Sequence, residues 1–364
     1  MKASVLAPPI GALSSISVGR TVAILLLLAA AFDASVFAQS ITYMLFIHRM
    51  NAPVPIGSVG PTGTVNAVPF GANDNAVMTF VFHGDSSTVV PWSFGGSHGY
   101  ENVDGTALFQ INDSGTGNRL ARGTFAPSAG VFVSTDTQFG GAGFGSEGGL
   151  PGSTAFPGNP VYPYALVVGN SYDLTGPTML GPFNAGESCI NFPFVCAAPI
   201  PLETSVGDLV VNNNGNGQLG FFVAMPGTVN PFSNFLARST VDAATGRFSI
   251  SGRLRPGSHS YINPTRQPVT LLFEVLLYNA LWELPVTIPA GSFRQVSEGN
   301  YLYHGNVQGG TIRMAIRSVG ENTFSFSASG TTTNLLFPYF PITPAPDAFF
   351  LSIGESAGET VPAN

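Results

Sequence analysis

Residues 286–317, VTIPAGSFRQVSEGNYLYHGNVQGGTIRMAIR, carry the clearest two-residue period in the chain. Alternate side chains of a strand point to opposite faces. Tyr301, Tyr303, Gly305 and Val307 therefore fall on one face, with Leu302, His304 and Asn306 on the other. Gly309-Gly310 can supply the positive φ of a tight turn. Beyond it Ile312, Met314 and Ile316 share a face opposite Thr311, Arg313, Ala315 and Arg317. The next run repeats the pattern, with Phe324, Phe326 and Ala328 set against Ser325, Ser327 and Ser329. An antiparallel sheet with one buried and one wet face gives this alternation, whereas a buried parallel sheet reads as unbroken apolar runs.

The rest of the composition points the same way. The chain has 364 residues, of which 44 are Gly and 29 are Pro, and no amphipathic run of period 3.6 survives between them after the first forty residues. An all-β fold follows. Phe is abundant and charged residues make up only 9%, so low hydrophobicity gives no reason for disorder. The net charge of −7 arises from 20 acidic and 13 basic residues without a block of either sign. Sequence alone thus supplies no electrostatic driver for nucleic acid. Lys2 is the only lysine and leaves with the signal segment described next. That removes the amine for a Schiff base, the P-loop lysine and the lysine of S-x-x-K hydrolases.

Lys2 and Arg20, the apolar run Val22–Phe32 and the small residues at Val36-Phe37-Ala38 have the form of a secretory signal cleaved after Ala38. The competing reading is a retained anchor that continues through the apolar run Ile41–Ile47. Each run is shorter than the roughly 20 residues of a membrane-spanning helix, and Asp33 separates them, so no stable membrane span is expected in the mature chain. The expected organisation is two antiparallel β-sandwich-like modules after the cleaved signal. Residues 1–38 are the signal, 39–75 an extended lead-in, 76–204 an N-terminal module and 205–364 a C-terminal β-sandwich.

Within the N-terminal module, Met78, Phe80 and Phe82 alternate with Thr79, Val81 and His83, and the Gly- and Pro-rich segment 139–163 reads as a long loop packed down by its aromatics. Cys189 and Cys196, the only cysteines, share one short loop and read as a local disulfide in an exported chain. In the C-terminal module, Asn214-Gly215 and Asn216-Gly217 are hairpin-turn signals between the apolar runs Leu209–Val211 and Phe221–Val223. Phe248, Ile250, Gly252 and Leu254 then alternate with Arg247, Ser249, Ser251 and Arg253.

Asn263-Pro264, Pro268-Val269-Thr270, IPAGSF at 288–293, Tyr301-x-Tyr303-x-Gly305, Phe324-x-Phe326-x-Ala328-x-Gly330 and LSIGES at 351–356 are strand and turn residues over about the last third of the chain. Together they resemble a β-sandwich module recurrent in uncharacterised secreted bacterial proteins. The resemblance implies fold and export and carries no activity.

Two G-x-S-x-G matches occur. Gly354-Glu355-Ser356-Ala357-Gly358 lies too near the end of the chain to be followed by the helix, acid and histidine of an α/β-hydrolase. Gly95-Gly96-Ser97-His98-Gly99 has Asp85, Glu101 and Asp104 nearby. A serine nucleophile needs a histidine within reach and an acid orienting it, which makes Ser97 with His83 and Asp85 or Asp104 the catalytic alternative. His83, Asp85 and His98, with Glu101, are the metal-ligand alternative. Against both stands a Gly-rich turn between strands. His304, Arg313 and Arg317 lie on polar strand faces and, if they share one sheet face, could bind a carboxylate or a sugar; the other reading is a plain solvated face. Trp92 and Trp282 are sugar-stacking platforms if exposed and core residues if not. The expectation is a secreted or periplasmic binding or structural protein without a cofactor, acting on an unknown extracellular ligand or surface. The alternative is a polymer-directed hydrolase, serine- or metal-dependent, using residues 83–104.

Overall fold

A computed structural model describes residues 39–49, 62–71, 76–94, 97–136, 141–146, 159–160, 165–166, 172–184, 201–212, 218–242, 245–258, 260–277, 280–307, 310–332 and 348–361. In the first half of the chain the strands are β1 (Ser40–Arg49), β2 (Thr62–Val65), β3 (Val68–Phe70), β4 (Ala76–Asp85), β5 (Val90–Phe94), β6 (Ser97–Asn102), β7 (Gly105–Asp113), β8 (Arg119–Thr124), β9 (Val131–Asp136), β10 (Gly141–Ser146), β11 (Asn159–Pro160), β12 (Ala165–Leu166) and β13 (Thr178–Asn184). The second half adds β14 (Leu209–Asn212), β15 (Gln218–Pro226), β16 (Asn230–Pro231), β17 (Asn234–Asp242), β18 (Arg247–Arg255), β19 (Val269–Leu277), β20 (Ala280–Ile288), β21 (Arg294–Ser297), β22 (Asn300–Val307), β23 (Gly310–Gly320), β24 (Thr323–Thr332), β25 (Ala348–Ile353) and β26 (Ser356–Thr360). The fold is all-β, and among these strands every pairing except β16 with β26 is antiparallel.

Four sheets stack in layers. The first has the order β13-β15-β1-β4-β7-β8, and the second β11-β10-β9-β6-β5 with β12 also on β10. The third runs β16-β26-β25-β19-β20 and the fourth β17-β18-β24-β23-β22-β21, while β14-β2-β3 form a small separate sheet. Three apolar layers lie between them. Ile41, Tyr43, Leu45 and Ile47 of β1 and Met78, Phe80 and Phe82 of β4 pack with Val131 and Val133 of β9 and Phe144 of β10, joining the first and second sheets. Phe235, Phe248, Ile312 and Phe326 pack with Leu271, Phe273, Phe349 and Leu351, joining the third and fourth. Met44, Phe46, Val81, Phe221 and Val223 meet Leu272, Phe350 and Ala357, joining the first and third. Residues 39–364 form one compact unit.

This middle layer explains the apolar run 41–47. A central strand covered on both faces has no wet side to alternate with, so β1 buries every residue from Ile41 to His48. The lead-in expected over 39–75 thus contains a ten-residue strand, paired with β15 on one side and β4 on the other. The two runs flanking the Asn-Gly signals do not form a hairpin. β14 pairs with β2, and β15 inserts between β1 and β13. The chain therefore leaves the first sheet after Pro226, not at residue 205. Segment 139–163, expected to be a loop, supplies β10 and β11, with Phe144 fully buried. Phe139, Phe156 and Tyr162 lie outside the described residues.

The expected disulfide is a correction. Among the described residues no pair of sulfur atoms lies at bonding distance, and Cys189 and Cys196 themselves lie in 185–200, outside them. The signal segment 1–38 is also outside them. Among the described residues no helix is long and apolar enough to cross a membrane.

Among the buried polar side chains of the first and third sheets one pair stands out. His48 Nε2 lies 3.1 Å from Glu359 Oε1, with both side chains 0% exposed. The pair links β1 of the first sheet to β26 of the third. Thr42 works at the same boundary. Its hydroxyl donates to Gly227 O at 2.7 Å and accepts from Val229 N at 2.9 Å, fixing the segment that carries the chain from the first sheet to the others.

Candidate functional site

Residues 83–104 are distributed over two sheets. His83 and Asp85 end β4 of the first sheet, while Ser97, His98 and Glu101 lie on β6 of the second. His83 is half-buried, and its Nδ1 lies 3.0 Å from Thr42 Oγ1. Burial, then the nearby positive charge of Arg122, pushes its pKa below the usual histidine value, so the ring is held neutral. The Asp85 carboxylate accepts from the Ser87 backbone N–H at 2.8 Å and the Ser87 hydroxyl at 2.7 Å. It thereby caps the 3-10 turn Ser86–Thr88, and those two hydrogen bonds hold its pKa low. The serine-hydrolase pattern calls for an acid on the histidine, but here the histidine is engaged by a threonine and the acid by a turn. Asp104 is exposed in the turn before β7, and the Ser97 side chain is outside what is described.

Among the described residues no three of His, Cys, Asp and Glu gather where they could share a metal ion, so His83, Asp85 and His98 do not converge. The second G-x-S-x-G is the β25–β26 hairpin, with Gly354 at φ 55° in the turn and Ser356 buried. Trp92 is half-buried and donates through Nε1 to Thr135 O at 3.1 Å, a packing role. The side chains of Trp282 and His259 lie outside the described residues.

The fourth sheet brings together what the sequence left scattered. Its inner face is the apolar layer already described, and its outer face is wet. Cross-strand register sets that face out in rows. Arg253 of β18 pairs with Ser325 of β24, which pairs with Arg317 of β23. One step along, Arg238 of β17 pairs with Ser251, Ser251 with Ser327, and Ser327 with Ala315. The next row runs Ser249, Ser329, Arg313 and His304. The Nε–H of Arg313 donates to His304 Nε2 at 3.4 Å, so these two share a face.

The charge on this sheet is one-sided. Of the 13 basic residues of the chain, Arg238, Arg247, Arg253, Arg255, Arg294, Arg313 and Arg317 stand on its strands, and all are exposed. Carboxylates are confined to its ends. Asp242 closes β17 and is bonded to Thr245, while Glu298 and Glu321 sit in turns. None of Arg238, Arg253, Arg313 and Arg317 makes an ion pair with an aspartate or glutamate among the described residues. A groove of about 540 Å³ lies over this face, lined by Leu236, Arg238, Ser251, Arg253, Ala315, Arg317, Ser325 and Ser327. Its floor offers hydroxyls that donate and accept, and its sides offer guanidinium forks that only donate.

Sequence reasoning reached His304, Arg313 and Arg317 but not Arg238, Arg253 and the serines between them. The available signal was the recurrence of Arg and Ser at alternate positions of three separate strands. No protein-family model, no curated protein and no solved structure matches the chain.

Proposed function

We propose that the chain is an exported, non-enzymatic binding protein that docks an anionic ligand on the outer face of its fourth sheet. The observation that carries this reading is the Arg253–Ser325–Arg317 row and its neighbours. They form a concentration of guanidinium groups without a carboxylate partner among the described residues, in a protein whose net charge is −7. Guanidinium forks match carboxylates, phosphates and sulfates in two parallel hydrogen bonds. A merely solvated face is served by mixed charges, and like charges set side by side repel one another. Arg253 and Arg317 are two strands apart, ~10 Å between backbones, where two positive charges in water repel by about 0.4 kcal/mol before salt screening. An anion between them removes that penalty. Export is supported by the signal-like pattern of residues 1–38.

The test is retention on a cation exchanger at neutral pH. A protein of net charge −7 with dispersed charges flows through, whereas one with this face is retained and elutes with salt. Replacing Arg238, Arg253, Arg313 and Arg317 together by Ser abolishes retention. A wild-type chain that passes through unretained contradicts the proposal.

A further inference from the structure

We infer that the ligand of this face is a linear acidic polysaccharide, a polyuronate, lying along β24 between the arginines of β17, β18 and β23. The inference rests on the anion-docking reading above and extends it to a ligand class.

The spacing of charges favours a polymer over a small anion. Successive outward residues of a strand lie ~7 Å apart. At the level of Ser325 stand Arg253 and Arg317, at that of Ser327 stands Arg238, and at that of Ser329 stands Arg313. Each step along β24 thus has an arginine on one side or both, over ~13 Å from Ser325 to Ser329. A single carboxylate uses one such step, whereas a chain with a carboxylate on successive units uses them all. Between the charges the floor is hydroxyl. Ser251, Ser325 and Ser327 line the groove, and a serine hydroxyl both donates and accepts, as a sugar hydroxyl requires of its partner.

The same face is poorly suited to the other polyanions. Single-stranded nucleic acids are held by exposed aromatic rings on which bases stack. The aromatic residue beneath this groove, Phe326, is only 3% exposed and belongs to the core. Duplex DNA is read by a helix or a two-stranded ribbon inserted in a groove, which a six-stranded sheet face cannot provide. An anionic membrane would call for apolar side chains projecting among the charges, and the apolar members of this groove, Leu236, Ala237, Ala315 and Phe326, are half-buried or buried, the exposed Val296 and Val319 of this sheet lying outside its lining.

The experiment measures binding of the chain to galacturonate, to galacturonate oligomers of increasing length, to neutral malto-oligosaccharides, to duplex DNA and to phosphatidylcholine vesicles containing phosphatidylserine. The expected result is affinity that rises with uronate length until the oligomer spans the serine row, then levels off, with neutral oligosaccharides unbound. Ser325→Ala and Ser327→Ala each weaken polyuronate binding about fivefold, the value of one hydrogen bond. Both variants keep the wild-type melting temperature. DNA or vesicles bound as tightly as the polyuronate, with the serine variants inert, would overturn the polysaccharide assignment while leaving anion docking intact. No retention on the exchanger would overturn both.

Discussion

Phe350→Ala tests whether the two outer sandwiches are one cooperative structure. Phe350 is 0% exposed in the middle apolar layer. Its ring centroid lies 5.6 Å from that of Phe46 and 5.7 Å from that of Phe221, both at steep edge-on angles. Those two rings belong to β1 and β15 of the first sheet, and Phe350 to β25 of the third. Truncating a fully buried Phe costs about 3–5 kcal/mol, because burial is lost and the cavity closes only partly. Two edge-on ring contacts fall within that sum at about 0.5–1.5 kcal/mol each. Against a typical total of about 5–15 kcal/mol, this is a large fraction. The assay follows from the positions of the tryptophans. Trp92 is on β5 of the second sheet and Trp282 on β20 of the third, so Trp92→Phe and Trp282→Phe variants report separately on the two sandwiches in urea. If the middle layer couples the sheets, Phe350→Ala lowers both transitions by the same amount. A variant that moves the Trp282 transition while leaving the Trp92 transition in place would refute the coupling.

Two further outcomes follow from buried polar groups. Replacing only His48 or only Glu359 by an apolar residue breaks this contact across the sheet boundary and lowers stability by about 3–5 kcal/mol, while replacing both by Leu costs less than either single change; denaturation of the three variants measures it. His83, whose pKa is depressed by burial and by Arg122, makes the fold acid-sensitive. The unfolded chain takes up a proton near pH 6.5 while the folded chain still resists, so stability is full above about 6.5 and falls as pH drops through the depressed value. His83→Gln therefore flattens the melting temperature across this range, and slopes identical to wild type contradict the assignment.

The parts of the fold legible in the sequence are those with a wet face. Tyr301, Tyr303, Ile312, Met314, Ile316, Phe324 and Phe326 are all buried, and His304, Arg313, Arg317 and Ser327 are all exposed, as their alternation requires. The middle of the stack was not legible, for the converse reason. β1 is apolar on both sides, so Ile41–Ile47 carries no period and is compatible with a membrane segment. The Asn-Gly pairs signal a turn but not the partners of the strands beside it, and β14 and β15 part to different sheets. The basic face was half legible. Which arginines alternate outward is local information, but Arg253 and Arg317 flank Ser325 only through the pairing of β18, β24 and β23. For His83 and Asp85, short spacing suggested a shared task, yet a threonine 41 residues away and a neighbouring serine claim them instead.

The most direct test of the binding face is the salt dependence of polygalacturonate affinity for wild type and for Arg253→Ser/Arg317→Ser. If these guanidinium groups meet the anion, the slope of log K against log salt falls by roughly one for each arginine removed. The melting temperature holds steady or rises, since neither side chain has a carboxylate partner among the described residues. Unchanged slope and affinity in the double variant would contradict the account.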